Sequence, residues 1–99
     1  MDIKELIAER NEEALMCNGF DEAIIGTAER INLGPVVAYD VDKIIEILMK
    51  DMEVSEEDLD DDETIESRKY IDALEYFEYN IKGAWMGEYT PVFIETLIE

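Results

Sequence analysis

The sequence predicts an α+β fold: helices packed on one face of a small, three-stranded, mostly antiparallel sheet, in the order α-β-β-α-α-β. Three observations carry this. Apolar residues recur with a helical period in three separate segments. Runs of β-branched and aromatic residues, two of them opened by proline, read as strands. Helices and strands do not strictly alternate, so the pattern of a parallel α/β sheet is missing and two packed layers are the simplest solution. At 99 residues and 47% hydrophobic, the chain suits a single domain, 1–99, with one core.

The first segment, MDIKELIAERNEEALMCNGF, reads as one helix. Asp2 is placed to cap it, with Glu5 three residues on as in a capping box. Ile3, Leu6, Ile7, Ala14 and Leu15 share a face, and Asn18-Gly19 supplies the stop, with Phe20 folding back on the last turn. In DEAIIGTAERINLGPVVAYD two strands are expected, about 22–28 and 36–40, joined by a loop holding Asn32 and Gly34. Residues 22–28 also fit a helical period, so the assignment there stays open between strand and helix. DVDKIIEILMKDM is the clearest helix: Asp40 caps it, and Val41, Ile44, Ile45, Leu48 and Met52 form its apolar stripe. The stretch 53–66, EVSEEDLDDDETIE, then carries nine acids and no base, with Ser55 and Asp58 placed to form a short capped turn and Leu59 as its anchor. A helix resumes with Tyr70, Leu74, Phe77 and Ile81 on one stripe and Gly83 as its stop. TPVFIETLIE reads as a closing strand that Pro91 begins, where a missing N–H does least harm.

Composition excludes several classes of function. Twenty-seven acids face 8 bases, a net charge of −19, which repels nucleic acid and anionic membranes and favours basic surfaces or cations. Solubility alone is the plain alternative reason for such acidity. There is no histidine and one cysteine, Cys17, so the commonest general base is missing and a structural zinc site lacks ligands. A cytoplasmic location is expected: one cysteine allows no internal disulfide, no apolar run reaches the ~20 residues of a membrane span, and the charged start of the chain has no apolar signal region.

The residues FDEAIIG, VVAYDVDKIIEILM, EYFEYNIKGAW and GEYTPVF resemble a group of short uncharacterised proteins of bacteriophage and bacterial genomes, over roughly residues 20–94. The resemblance implies a hairpin leading into a helix, a second helix, a turn and a closing strand, and it tips 22–28 toward strand. It implies no activity. In those relatives the second helix follows almost directly on a turn like Val54-Ser55. Roughly ten additional residues stand here, so the acidic stretch, about 53–66, reads as an insertion.

Calcium is one reading of that stretch. Asp58, Asp60 and Asp62 match the first three ligand positions of an EF-hand loop, but Glu63 stands where glycine is needed and Lys69 where a bidentate glutamate is needed. The pattern fails at both defining points, and no metal or cofactor is expected. Mimicry of a nucleic acid is another. Carboxylates on successive helical turns lie about 6 Å apart, close to the spacing of neighbouring backbone phosphates, so an acidic face held on a scaffold can occupy the cleft of a nucleic-acid-binding protein. Glu56, Glu57, Asp58, Asp60, Asp61, Asp62 and Glu63 are the candidate partner-binding residues. The expected partner is a basic protein surface, such as that of a host nucleic-acid-binding defence protein. A third reading is a solvated linker.

An enzyme is not expected. No phosphate-binding glycine loop, nucleophile elbow or histidine-paired nucleophile is present, and Cys17 reads as a packing residue. A second reading of the whole chain is a homo-oligomer or small-ligand module, with Tyr79, Trp85, Tyr89 and Phe93 as the alternative interface and acidity serving solubility. Trp85, between Gly83 and Gly87, is otherwise expected to cap the core between helix and sheet.

Overall fold

The computed structural model describes residues 2–31, 33–84 and 86–97, without the side chains of Arg30 and Leu33. It is the expected α+β arrangement: α1 (Ile3–Arg10), β1 (Ile24–Arg30), β2 (Leu33–Asp40), α2 (Val41–Asp51), α3 (Ile65–Tyr76) and β3 (Val92–Ile94), with short 3-10 turns at Asp21–Ala23 and Glu56–Asp58. The sheet order is β1-β2-β3. β1 and β2 are antiparallel, while β3 runs parallel to β2, pairing Ala38 with Val92 and Asp40 with Ile94. A parallel neighbour requires a crossover, and α2 and α3 supply it.

β2 is central and buried on both faces. Val37 and Tyr39 point into the main core with Ile7, Ile24, Ile44, Ile45, Ala73 and Phe77. Val36 and Ala38 alternate to the opposite face, where they too are covered. Pro35 lies inside β2 and does not open it. It is tolerated because the register shifts between Ala28 and Arg30, which leaves Pro35 at an irregularity of the ladder. The two local caps read from the sequence are in place: the Asp2 carboxylate accepts from the Glu5 N–H at 3.0 Å, and that of Asp40 from the Asp42 N–H at 3.1 Å.

Four further expectations are corrected. The first helix stops at Arg10. Asn11 leaves helical geometry at φ −162°, its amide nitrogen donates to the Pro35 carbonyl at 2.8 Å, and its side-chain oxygen accepts from the Glu13 N–H at 3.1 Å. These bonds offer the backbone an alternative to another helical turn and tie the chain to β2. Gly19, at φ +88°, turns the chain well beyond the helix end. Second, β1 begins at Ile24 because Asp21–Ala23 form a 3-10 turn, held to α1 by a Lys4–Asp21 ion pair of 2.9 Å. Third, Tyr70 is 49% exposed, and the buried residues of this helical segment are Ala73 in α3 and Phe77 just beyond it. Fourth, α3 does not reach Gly83 as an α-helix: Phe77–Lys82 form a π-helix. Gly83 ends it at φ −76°, in right-handed geometry. Glycine suits this position through close approach, since a Cβ there would meet the carbonyl oxygens of Glu78 at 3.1 Å and Tyr79 at 3.3 Å.

The radius of gyration is 15.9 Å, above the ~13 Å of a compact chain of this length. An elongated body has more surface to cover, which accounts for the several half-exposed aliphatic side chains.

Candidate functional site: the acidic stretch and its flanking groove

The acidic stretch joins α2 to α3. Helix α2 ends as Met52 turns extended, and Ser55 then caps the 3-10 turn Glu56–Asp58, its hydroxyl accepting from the Glu57 N–H at 3.3 Å and its carbonyl from the Asp58 N–H at 3.0 Å. The expected short turn at Ser55 is therefore present. Leu59 follows, half-buried. A second turn closes when the Glu63 N–H donates to the Asp60 carbonyl at 3.0 Å and the Asp60 N–H donates to the Glu63 carboxylate at 3.0 Å. Thr64 caps α3 by accepting from the Ser67 N–H at 3.1 Å.

The candidate residues divide into two kinds. Glu56, Glu57, Asp58, Asp60, Asp61 and Asp62 are exposed, and among the described residues none of their carboxylates has an ion pair or hydrogen bond. Glu63 is half-buried and engaged, accepting from the Asp60 N–H and pairing with Arg68 at 3.6 Å. Arg68 also reaches Asp72 at 3.0 Å, and the two carboxylates, Asp72 first, push its pKa up. Glu63 thus serves as a clamp on the stretch. The spacing expected of a helical face is replaced here by two successive turns, because no α-helix forms between Asp51 and Ile65. The backbone is nonetheless pinned by hydrogen bonds at both turns.

Beside the stretch lies a groove of about 510 Å³ between the C-terminal half of α2 and the first turns of α3, lined by Glu46, Met49, Lys50, Ile65, Glu66 and Lys69. The sequence reading missed it, along with Thr64 and Arg68. Thr64 had a local signal, a threonine immediately before an apolar periodic run. The groove had none, since it depends on how two helices diverge.

The residues of the alternative interface have different surroundings. Tyr79 is 81% exposed on the π-helix. Phe93 is half-buried against the core, its ring 5.9 Å from Tyr39 in a stack and 5.3 Å from Phe77 edge to face. Tyr89 is half-buried beside Gly34, its carbonyl accepting from the Leu15 N–H at 3.3 Å, and the carboxylates of Glu88 and then Glu13 help raise its pKa. Trp85, both as a core cap and as an interface residue, lies outside the described residues.

Cys17 is half-buried, and its N–H donates to the buried Tyr39 hydroxyl at 2.7 Å. Burial pushes the Cys17 thiol above its ordinary value, the direction opposite to that of an activated thiolate. Among the described residues no three acidic or cysteine side chains converge as metal ligands, and no helix is long and apolar enough to cross a membrane. No protein family, curated protein or solved structure significantly matches this chain.

Proposed function

We propose that this protein is a non-catalytic binding module that docks on a basic protein surface through its acidic stretch. In its most concrete form, it occupies the nucleic-acid cleft of a defence protein and inhibits it as a phosphate-backbone mimic. The observation that carries the reading is that six carboxylates from Glu56 to Asp62 face solvent without partners among the described residues, on a backbone pinned at both turns. Carboxylates without internal partners keep their charge for an external cation. A pinned backbone loses less conformational entropy on docking than a free tail.

The test is competition with duplex DNA for candidate defence nucleases at rising salt. Direct binding to the nuclease should weaken steeply with salt, and both binding and displacement should vanish when Glu56 and Glu57 become Gln and Asp58, Asp60, Asp61 and Asp62 become Asn. Binding that ignores salt, or that survives neutralisation, sinks the mimicry reading.

A second reading is favoured by a different observation. β1 and β3 are the two edge strands, and each carries exposed apolar residues, Ile25 on β1 and Val92 and Ile94 on β3. An open edge beside apolar residues suits pairing with a second copy, with acidity serving solubility. Light scattering at high salt, where the repulsion is screened, separates the two: a monomer at every concentration removes this second reading.

A further inference from the structure

The α2/α3 groove opens at the end of the helix pair from which the acidic stretch projects. Its floor is apolar: Met49, half-buried, and Ile65, exposed by more than a third although it is a large aliphatic residue. Methionine is flexible and polarizable, and so adapts to different apolar occupants. Each wall offers one acid and one base, Glu46 with Lys50 on α2 and Glu66 with Lys69 on α3. The slot itself is therefore close to neutral. Its surroundings are not: from Glu46 to Lys69 the chain carries eleven acids against three bases.

A near-neutral slot with apolar lining, at the helix ends that the acidic stretch connects, fits one kind of occupant. We propose that the groove receives a basic amphipathic helix of a partner protein, with an apolar side chain between Met49 and Ile65 and flanking Lys or Arg side chains reaching Glu56–Asp62. Lining residues spaced three and four apart on two helices make the ridges against which a third helix packs. Charge complementarity selects a basic partner over a second copy, because another copy would bring a charge of −19 against the same acidic rim. This inference rests on the acidic-docking reading and adds an apolar anchor to it.

Two peptides of about 18 residues, or five helical turns, and identical Lys/Leu composition test it by titration calorimetry. One places Leu at helical spacing on a single face; the other disperses Leu so that no apolar face forms. The amphipathic peptide should bind one to one and about tenfold tighter. Ile65→Asp should remove that preference while leaving salt-dependent binding of both peptides. Because Ile65 is partly exposed at the first turn of α3, where aspartate is favourable, the variant should fold; Met49→Gln provides a second probe from the opposite wall. Equal binding of the two peptides, or a preference that survives both substitutions, overturns the groove proposal. The acidic reading fails separately, if neutralising Glu56–Asp62 leaves both peptides bound as before. If neither peptide binds the unaltered protein, both fall.

Discussion

The strand β2 and the acidic stretch lie on either side of α2 and obey opposite rules. In β2 four consecutive residues, Val36 to Tyr39, are buried, and each is fixed by neighbours distant in sequence. In the stretch the carboxylates from Glu56 to Asp62 are exposed, and order comes from bonds between residues two to four apart. The first region makes the fold and has no chemistry to spare. The second contributes little to the core and keeps its chemistry free. Function is best sought where structure is held locally and side chains are left unused.

Four measurements would break or sharpen that contrast. The largest effect belongs to the core: Phe77→Ala should lower unfolding free energy by about 3–5 kcal/mol, since Phe77 is 1% exposed and packs edge to face on Phe93. A loss below 1 kcal/mol by denaturant titration would show that the aromatic cluster is not the centre of the core. Next is Tyr39→Phe, which leaves the Cys17 N–H without its acceptor and should cost about 1–2 kcal/mol. It should also change the alkaline limb of the stability curve. Burial raises the Tyr39 phenol above its ordinary 10.0, so the folded state holds the proton more tightly. That stabilisation is complete below pH 10 and is lost as pH rises through the folded value. Removing the phenol removes this loss, and leaves one of the same sign from Cys17, raised above 9.0 by burial.

A smaller effect is expected from Glu63→Ala. It deletes the acceptor for the Asp60 N–H and one partner of Arg68; one exposed hydrogen bond is worth about 1 kcal/mol or less. Amide exchange at Asp60 should accelerate while the core melts nearly as before. The smallest effect on stability should come from neutralising all six exposed acids, each within about 0.5 kcal/mol and with a slight net gain at low salt as repulsion is relieved. A large destabilisation would mean that these carboxylates serve the fold, and the contrast drawn above would collapse.

What was legible in the sequence was local. Asp2, Asp40 and Ser55 are caps whose partners lie two or three residues away, so the residue types announce the geometry. The stripe of α2 was legible because Val41, Ile44 and Ile45 all enter the one core. The end of α1 was not, because what ends it is a bond from Asn11 to Pro35, set by tertiary placement. The π-helix at Phe77–Lys82 was hidden for a related reason: the apolar spacing through Phe77 and Ile81 reads as an ordinary helix. The acidic residues of the site were plain from composition, but Glu63 could not be separated from its neighbours until Arg68 was seen beside it.

The parallel pairing of β3 with β2 has a consequence in time. Ala38 and Val92 are neighbours although α2, the acidic stretch, α3 and the π-helix all lie between them in sequence. β1 and β2 are close neighbours in sequence and can form early, whereas so distant a pairing is completed late. Lengthening the intervening segment costs little at equilibrium, about 0.6 kcal/mol per doubling. Yet that segment carries the densest like charge in the chain, and it must be drawn in before the last strand docks. Stopped-flow refolding should therefore quicken with added salt by more than unfolding slows, although screening a net charge of −19 also stabilises the finished fold slightly.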